Sequence, residues 1–110
     1  MKLIGGNTIG YIQTRTVTTD DIGEQLEDYV TVLQLNGFLD YLSGEENIRN
    51  YDSKLRESTH VFICDYMELN VAERDSRMLI NNRIYEISRI DNPMELNQHL
   101  EIYLKYIGVM

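Results

Sequence analysis

Alternation of apolar and polar side chains, rather than the three-to-four spacing of helices, dominates this chain. Leu100, Ile102, Leu104 and Tyr106 fall on one face and Glu101, Tyr103 and Lys105 on the other, the period of two that a half-buried strand shows. Residues 8–19 are rich in β-branched side chains, with Ile9, Ile12 and Val17 among threonines, and predict a first strand. Asp20-Asp21-Ile22-Gly23-Glu24-Gln25 gathers turn formers around Gly23, and residues 29–35 resume as a second strand. The two predict a hairpin with an acidic tip. Asn36-Gly37 closes that strand and residues 38–42 continue in apolar fashion, which predicts a bend or bulge at Gly37.

Residues 77–90 form two β-rich runs around Asn81-Asn82. Asn accepts positive φ more readily than most residues with a Cβ, so the pair suits a two-residue hairpin turn and fixes the register of its strands. Leu79 then points to one face, while Ile84, Tyr85, Ile87 and Ile90 offer apolar contact on both. Residues 59–65 return to β character, residues 68–76 form a polar connection, and Asp91-Asn92-Pro93 stops the second run because proline cannot donate to a ladder.

The exception is the polar stretch 43–58. Its apolar residues, Ile48, Tyr51 and Leu55, stand at i, i+3 and i+7, the spacing of one helix face, with Ser43 or Asp52 as a possible cap. Such a long polar segment between strands in a compact domain is usually either disordered or functional. The expected fold is all-β: a small antiparallel barrel or sandwich of about six strands with one short helix or long loop inserted in the middle.

The 110 residues, 43% hydrophobic and 25% charged, predict one folded domain over 1–110. Cys64 is the only cysteine and lies in the apolar run Val61-Phe62-Ile63-Cys64, so a buried free thiol and a reducing compartment are expected. No apolar run approaches a bilayer span. The formal net charge of −8 argues against wrapping a phosphate backbone, which takes clustered Lys and Arg.

Candidate chemistry is sparse. Gly5-Gly6 and Gly10 lack the lysine and strand-to-helix context of a phosphate loop. His60, His99 and Cys64 have no short-spaced ligand pair, so no metal or cofactor is expected. His60 with Ser58 and an aspartate lacks an oxyanion hole, and the paired carboxylates Glu45-Glu46 and Asp20-Asp21 sit on exposed loops where both stay ionised. No catalytic residue is assigned and the chain is not expected to be an enzyme. Eight tyrosines and no tryptophan suit a surface where proteins meet, although core packing explains most of them as well.

Several segments resemble the head closure proteins of tailed bacteriophages, also called head-tail joining or stopper proteins. Asp21-Ile22-Gly23 with Tyr29-Val30-Thr31-Val32 resembles the family's first hairpin, and Gly37-Phe38-Leu39-Asp40-Tyr41-Leu42-Ser43-Gly44 the segment after it. Ser58-Thr59-His60-Val61-Phe62-Ile63-Cys64-Asp65-Tyr66 resembles the strand opening the second half, and residues 77–87 its most regular motif: an arginine, a short strand, a tight turn, then an aromatic and isoleucine. The chain departs in having Tyr29 where tryptophan is frequent and Cys64-Asp65 where basic residues are common.

The resemblance implies a β-barrel assembled with copies of itself as a ring in the virion, below the portal or adaptor protein. There it closes the DNA exit of the filled capsid and offers a surface to a tail completion or tail-tube protein. Packaged DNA passes without sequence-specific binding, no membrane is involved, and assembly takes place in the bacterial host cytoplasm. On this reading residues 43–58 are the gating or ring-contact loop, with Ile48, Tyr51 and Leu55 against a neighbour and Glu45 and Glu46 near the channel. Portal or tail contact falls on Asp20, Asp21, Glu24, Glu68, Glu73 and Arg74. The alternative is a small β-barrel interaction module or inhibitor unrelated to virion assembly.

Overall fold

The computed structural model describes residues 4–42 and 58–110. Its strands are β1 (Thr8–Thr19), β2 (Gln25–Tyr41), β3 (His60–Asp65), β4 (Ser76–Ile80), β5 (Arg83–Asp91) and β6 (His99–Val109). All pairings are antiparallel, in the order β1-β2-β3-β6-β5-β4, and β4 returns to β1 to close the barrel. Among the described residues, helix is confined to two 3₁₀ turns, Glu73–Asp75 and Pro93–Glu95. Of the expected mid-chain insertion, 43–58, residues 43–57, including Glu45, Glu46, Ile48, Tyr51 and Leu55, lie outside the described residues, while Ser58, expected in a polar loop, is buried.

Alternation builds the core. Leu100, Ile102 and Leu104 of β6 point inward with Met78 and Ile80 of β4, Tyr85 and Ile87 of β5, and Phe62 and Cys64 of β3. Phe62, Ile102 and Leu104 are wholly inaccessible, and burying each side chain contributes about 1.5–3 kcal/mol. Leu79 and Ile84 face each other on the outer side, where both stay half-buried. Asn81 (φ 51°) and Asn82 (φ 61°) both hold positive φ, the requirement of a type I′ turn whose twist matches its strands. Tyr106, expected on the core face, stacks edge-on against Tyr85 at 5.6 Å but stays partly exposed, because the β3 ladder ends at the pair His60 and Leu104.

The expected bulge at Gly37 does not form. The shift in the β1–β2 register lies instead between Ile12 and Gln13, opposite Val32 of β2, and β5–β6 shifts at Ile84/Tyr85 and Ile87/Arg89, while Gly37 pairs regularly with Thr8 and Cys64. Glycine is needed at 37 for close packing: a Cβ there would collide with the Ile63 carbonyl oxygen and lie 2.8 Å from the Phe62 ring. Gly6 lies against the Gly37 backbone, in a segment tied down by Asp65, whose carboxylate accepts the N–H groups of Ile4 (2.6 Å) and Gly5 (3.1 Å).

Two ends of the barrel differ. β1 pairs with β4 only from Gly10 to Thr14, and β2 with β3 only from Gly37 to Tyr41. Beyond Thr14 and Val30, therefore, β1 and β2 continue as a two-stranded arm that leaves the barrel. At the opposite end stand the Asn81-Asn82 turn, the last residues of β6, and the positions 42 and 58 from which residues 43–57 depart; Met110 N–H donates to the Asn82 carbonyl there (2.8 Å).

Candidate assembly surface

The tip of the arm is organised by Asp20. Its carboxylate accepts the N–H groups of Ile22 (3.1 Å) and Glu24 (2.8 Å), and its backbone N–H donates to the Glu24 carbonyl (2.9 Å). Gly23 takes φ 87° to close the turn, a conformation that costs a residue with a Cβ about 1–2 kcal/mol. Asp20 is thereby committed to the turn, whereas Asp21 and Glu24 are exposed to solvent beside Ile22, which is 85% exposed. Residues 15–30 carry five carboxylates (Asp20, Asp21, Glu24, Glu27, Asp28) and one cation, Arg15.

The arm is fastened at its base. Arg15 reaches Glu27 (2.8 Å) and Asp75 (3.4 Å), pairs too exposed to add more than a fraction of a kcal/mol each. Arg77 does more: its guanidinium lies 3.8 Å from the Tyr29 ring centroid while its Nε donates to Gln13 Oε1 (2.8 Å), and Gln13 Nε2 donates to Thr31 Oγ1 (3.2 Å). A groove of about 370 Å³, lined by Thr14, Val32, Leu33, Glu68, Asn70 and Val71, runs between the arm base and the connection leading to β4. Glu68 borders this groove, Glu73 accepts the Ile90 N–H (3.2 Å), and Arg74 is exposed. The structure thus brings Asp20, Asp21, Glu24, Glu68, Glu73 and Arg74 to one end of the barrel, with Asp20 and Glu73 occupied by backbone N–H groups.

The other end is aromatic. The His60 ring lies edge-on to Tyr41 (5.4 Å) and Tyr85 (5.2 Å), and its Nδ1 is 2.8 Å from Thr59 Oγ1. Burial, and then the nearby Arg83 cation, hold His60 below the usual histidine range. The Leu42 N–H donates to the Thr59 carbonyl (2.8 Å), so the chain positions flanking residues 43–57 are hydrogen-bonded to each other.

Sequence reasoning missed the apolar side chains exposed on the arm and at its base, Leu26, Val30 and Val32. Their strand pattern was legible; that β4 and β3 stop short of them was not. It also missed the loop after β5, where Met94, Glu95 and Asn97 take positive φ (53°, 56° and 56°) and Met94 and Leu96 are exposed. That loop is pinned by Asn92, which donates Nδ2–H to Asn97 Oδ1 (2.7 Å) and accepts the Asn97 N–H (3.1 Å).

Among the described residues no group of three His, Cys, Asp or Glu side chains is placed to hold a metal ion, and no helix is long and apolar enough to cross a membrane. Cys64 is buried, and desolvation followed by the Asp65 charge pushes its thiol up to about 11, the opposite of what a nucleophilic thiolate needs. What the surface offers is a shape: an acidic arm with exposed aliphatic side chains at one end, and an aromatic and aliphatic rim at the other.

Comparison with known proteins gives a family match: the model described as phage head completion protein matches residues 7–105, from the segment before β1 into the middle of β6. No curated protein sequence matches significantly. Among solved structures, the solution structure of protein SF1141 from Shigella flexneri 2a is similar at 21% identity and TM-score 0.73, over 96% of each chain. A chain of the virion of a native gene transfer agent particle is similar at 13% identity and TM-score 0.60, over 99% of each. At these identities the two structures establish the shared fold.

Proposed function

The chain belongs to the phage head completion protein family, and from that premise we propose that this structural virion protein acts, as one domain, in a ring of its own copies below the portal or adaptor, closing the DNA exit of the filled head and presenting the attachment surface for the tail. The family match carries the reading, because it spans both ends of the barrel; it also favours a virion role over a general binding module. The acidic arm fits a component that packaged DNA must pass without adhering, since phosphates are held by cations.

Residues 43–58 are assigned the gating or ring-contact role, with Glu45 and Glu46 toward the channel and Ile48, Tyr51 and Leu55 against a neighbour. The anchoring of this segment makes the assignment testable. Because Tyr41 pairs with His60 and Leu42 bonds to Thr59, a short turn can replace residues 44–57 without opening the barrel. Heads completed with that deletant should lose their DNA while the purified protein unfolds as cooperatively as the parent; retained DNA rejects gating by this segment. The arm tip and its flank are assigned to portal or tail contact through Asp21, Glu24, Glu68 and Arg74. Charge reversal at these four positions should block joining without unfolding, and unimpaired joining rejects the assignment.

A further inference from the structure

At both ends of the barrel strands run past their neighbours and carry an inward-facing side out into solvent: β1 and β2 at one end, β5 and β6 beside the end of β4 at the other. On the arm that side bears Val30, Asp28 and Leu26, paired across to Thr14, Thr16 and Thr18. At the opposite end it bears Arg83 and Val109, paired with each other and following Ile80. Val30 is 49%, Leu26 50% and Val109 71% exposed. The register partners of Arg83, Ile80 and Val109, carry no charge. The arm is a two-stranded ribbon with bare aliphatic side chains, which is marginal in water, whereas Arg83 stands between Ile80 of β4 and Val109 of β6 on a three-stranded edge; Leu26, Val30 and Val109 have no cover among the described residues.

We infer that the two ends cover each other between copies: the shaft of the arm, through Leu26, Asp28 and Val30, docks on the Arg83 and Val109 ribbon of a second copy of this chain. The two patches match in kind, an exposed carboxylate between aliphatic side chains on one, its Oδ1 also accepting the Tyr29 N–H (2.8 Å), and a guanidinium beside an aliphatic on the other. They lie at opposite ends of the molecule, so the contact is head-to-tail. A head-to-tail contact repeated around an axis closes a ring when its rotation permits. The net charge of −8 on each copy is screened beyond about 8 Å at physiological salt, so local pairing governs the contact. A contact made by these few side chains forms stably only when many copies are held together. The inference rests on the ring reading proposed above and specifies its interface.

The test uses assembled particles. Heads are completed with a mixture of two variants, Val30→Cys and Val109→Cys, both at exposed positions, and oxidised; Cys64 is buried and stays out of the reaction. A disulfide-linked dimer containing one chain of each variant is expected. In parallel, Asp28→Arg and Arg83→Asp should each lower the yield of completed heads by roughly tenfold, as like charges do when brought into contact, and the two together in one chain should restore it. Thermal unfolding of each variant separates a lost contact from a lost fold. Absence of the mixed disulfide in particles that contain both variants, or reversals that fail to compensate in folded protein, overturns this interface. Those results differ from the failure of the ring reading itself, in which the wild-type chain is missing from completed heads.

Discussion

Replacing Gly37 by alanine probes a close backbone approach in the barrel. A Cβ there meets the carbonyl oxygen of Ile63, on the strand to which β2 is paired, and two Phe62 ring atoms at 2.8 Å. The carbonyl belongs to the β2–β3 ladder and the ring is wholly buried, so neither can swing away as an exposed side-chain end would. Relief requires spreading the two strands or rotating Phe62 into the core, and overpacking of this kind costs about 1–3 kcal/mol. With a urea slope of about 1.5 kcal/mol per M for a chain of this length, the unfolding midpoint should fall by about 0.7–2 M. Gly108→Ala supplies the internal reference: its Cβ would have nothing within 4 Å, and removing a glycine there leaves stability unchanged or raises it by a few tenths of a kcal/mol. Equal midpoints for the two variants, with equal slopes, would refute the close-packing account of Gly37.

Asn82→Gly should raise and Asn82→Ala should lower the melting temperature, the alanine by about 5 °C for about 1 kcal/mol of left-handed strain; the reverse order in differential scanning calorimetry contradicts the turn geometry. The Cys64 thiol gives an alkaline limb: its folded value near 11 lies above the ordinary value of 9.0, so the native state holds its proton longer than the unfolded chain and stability declines as pH rises from about 9 to about 11. Cys64→Ala should flatten that decline, and an unchanged slope in urea melts across this range removes Cys64 as its source. Hydrogen exchange should divide the chain at Thr14 and Val30. Amides of the arm should exchange through local opening, and those of β3 and β6 only near global unfolding; equal protection in both refutes an arm that protrudes unsupported.

The sequence by itself determined the local elements whose signal lies in neighbouring side chains. The alternation of Leu100, Ile102 and Leu104, the β-branched run of β1, the double-asparagine turn and the stop at Pro93 are each set by short-range sterics and by one apolar face seeking cover, so they were legible without knowing the partner strand. The resemblance to head closure proteins was equally legible, because it rests on the order of those elements. Tertiary structure alone decided where pairing ends. Whether Leu26, Val30 and Val32 belong to a core or to a bare arm and its base depends on β3 and β4 being shorter than β2 and β1, and no property of residues 25–32 encodes the length of strands tens of positions away. Gly37 shows the same limit: glycine in a strand announces either a bulge or a close approach, and only the position of the Ile63 carbonyl and the Phe62 ring distinguishes them. Excluded volume and strand pairing act between residues distant along the chain, and they become fixed only when the barrel closes.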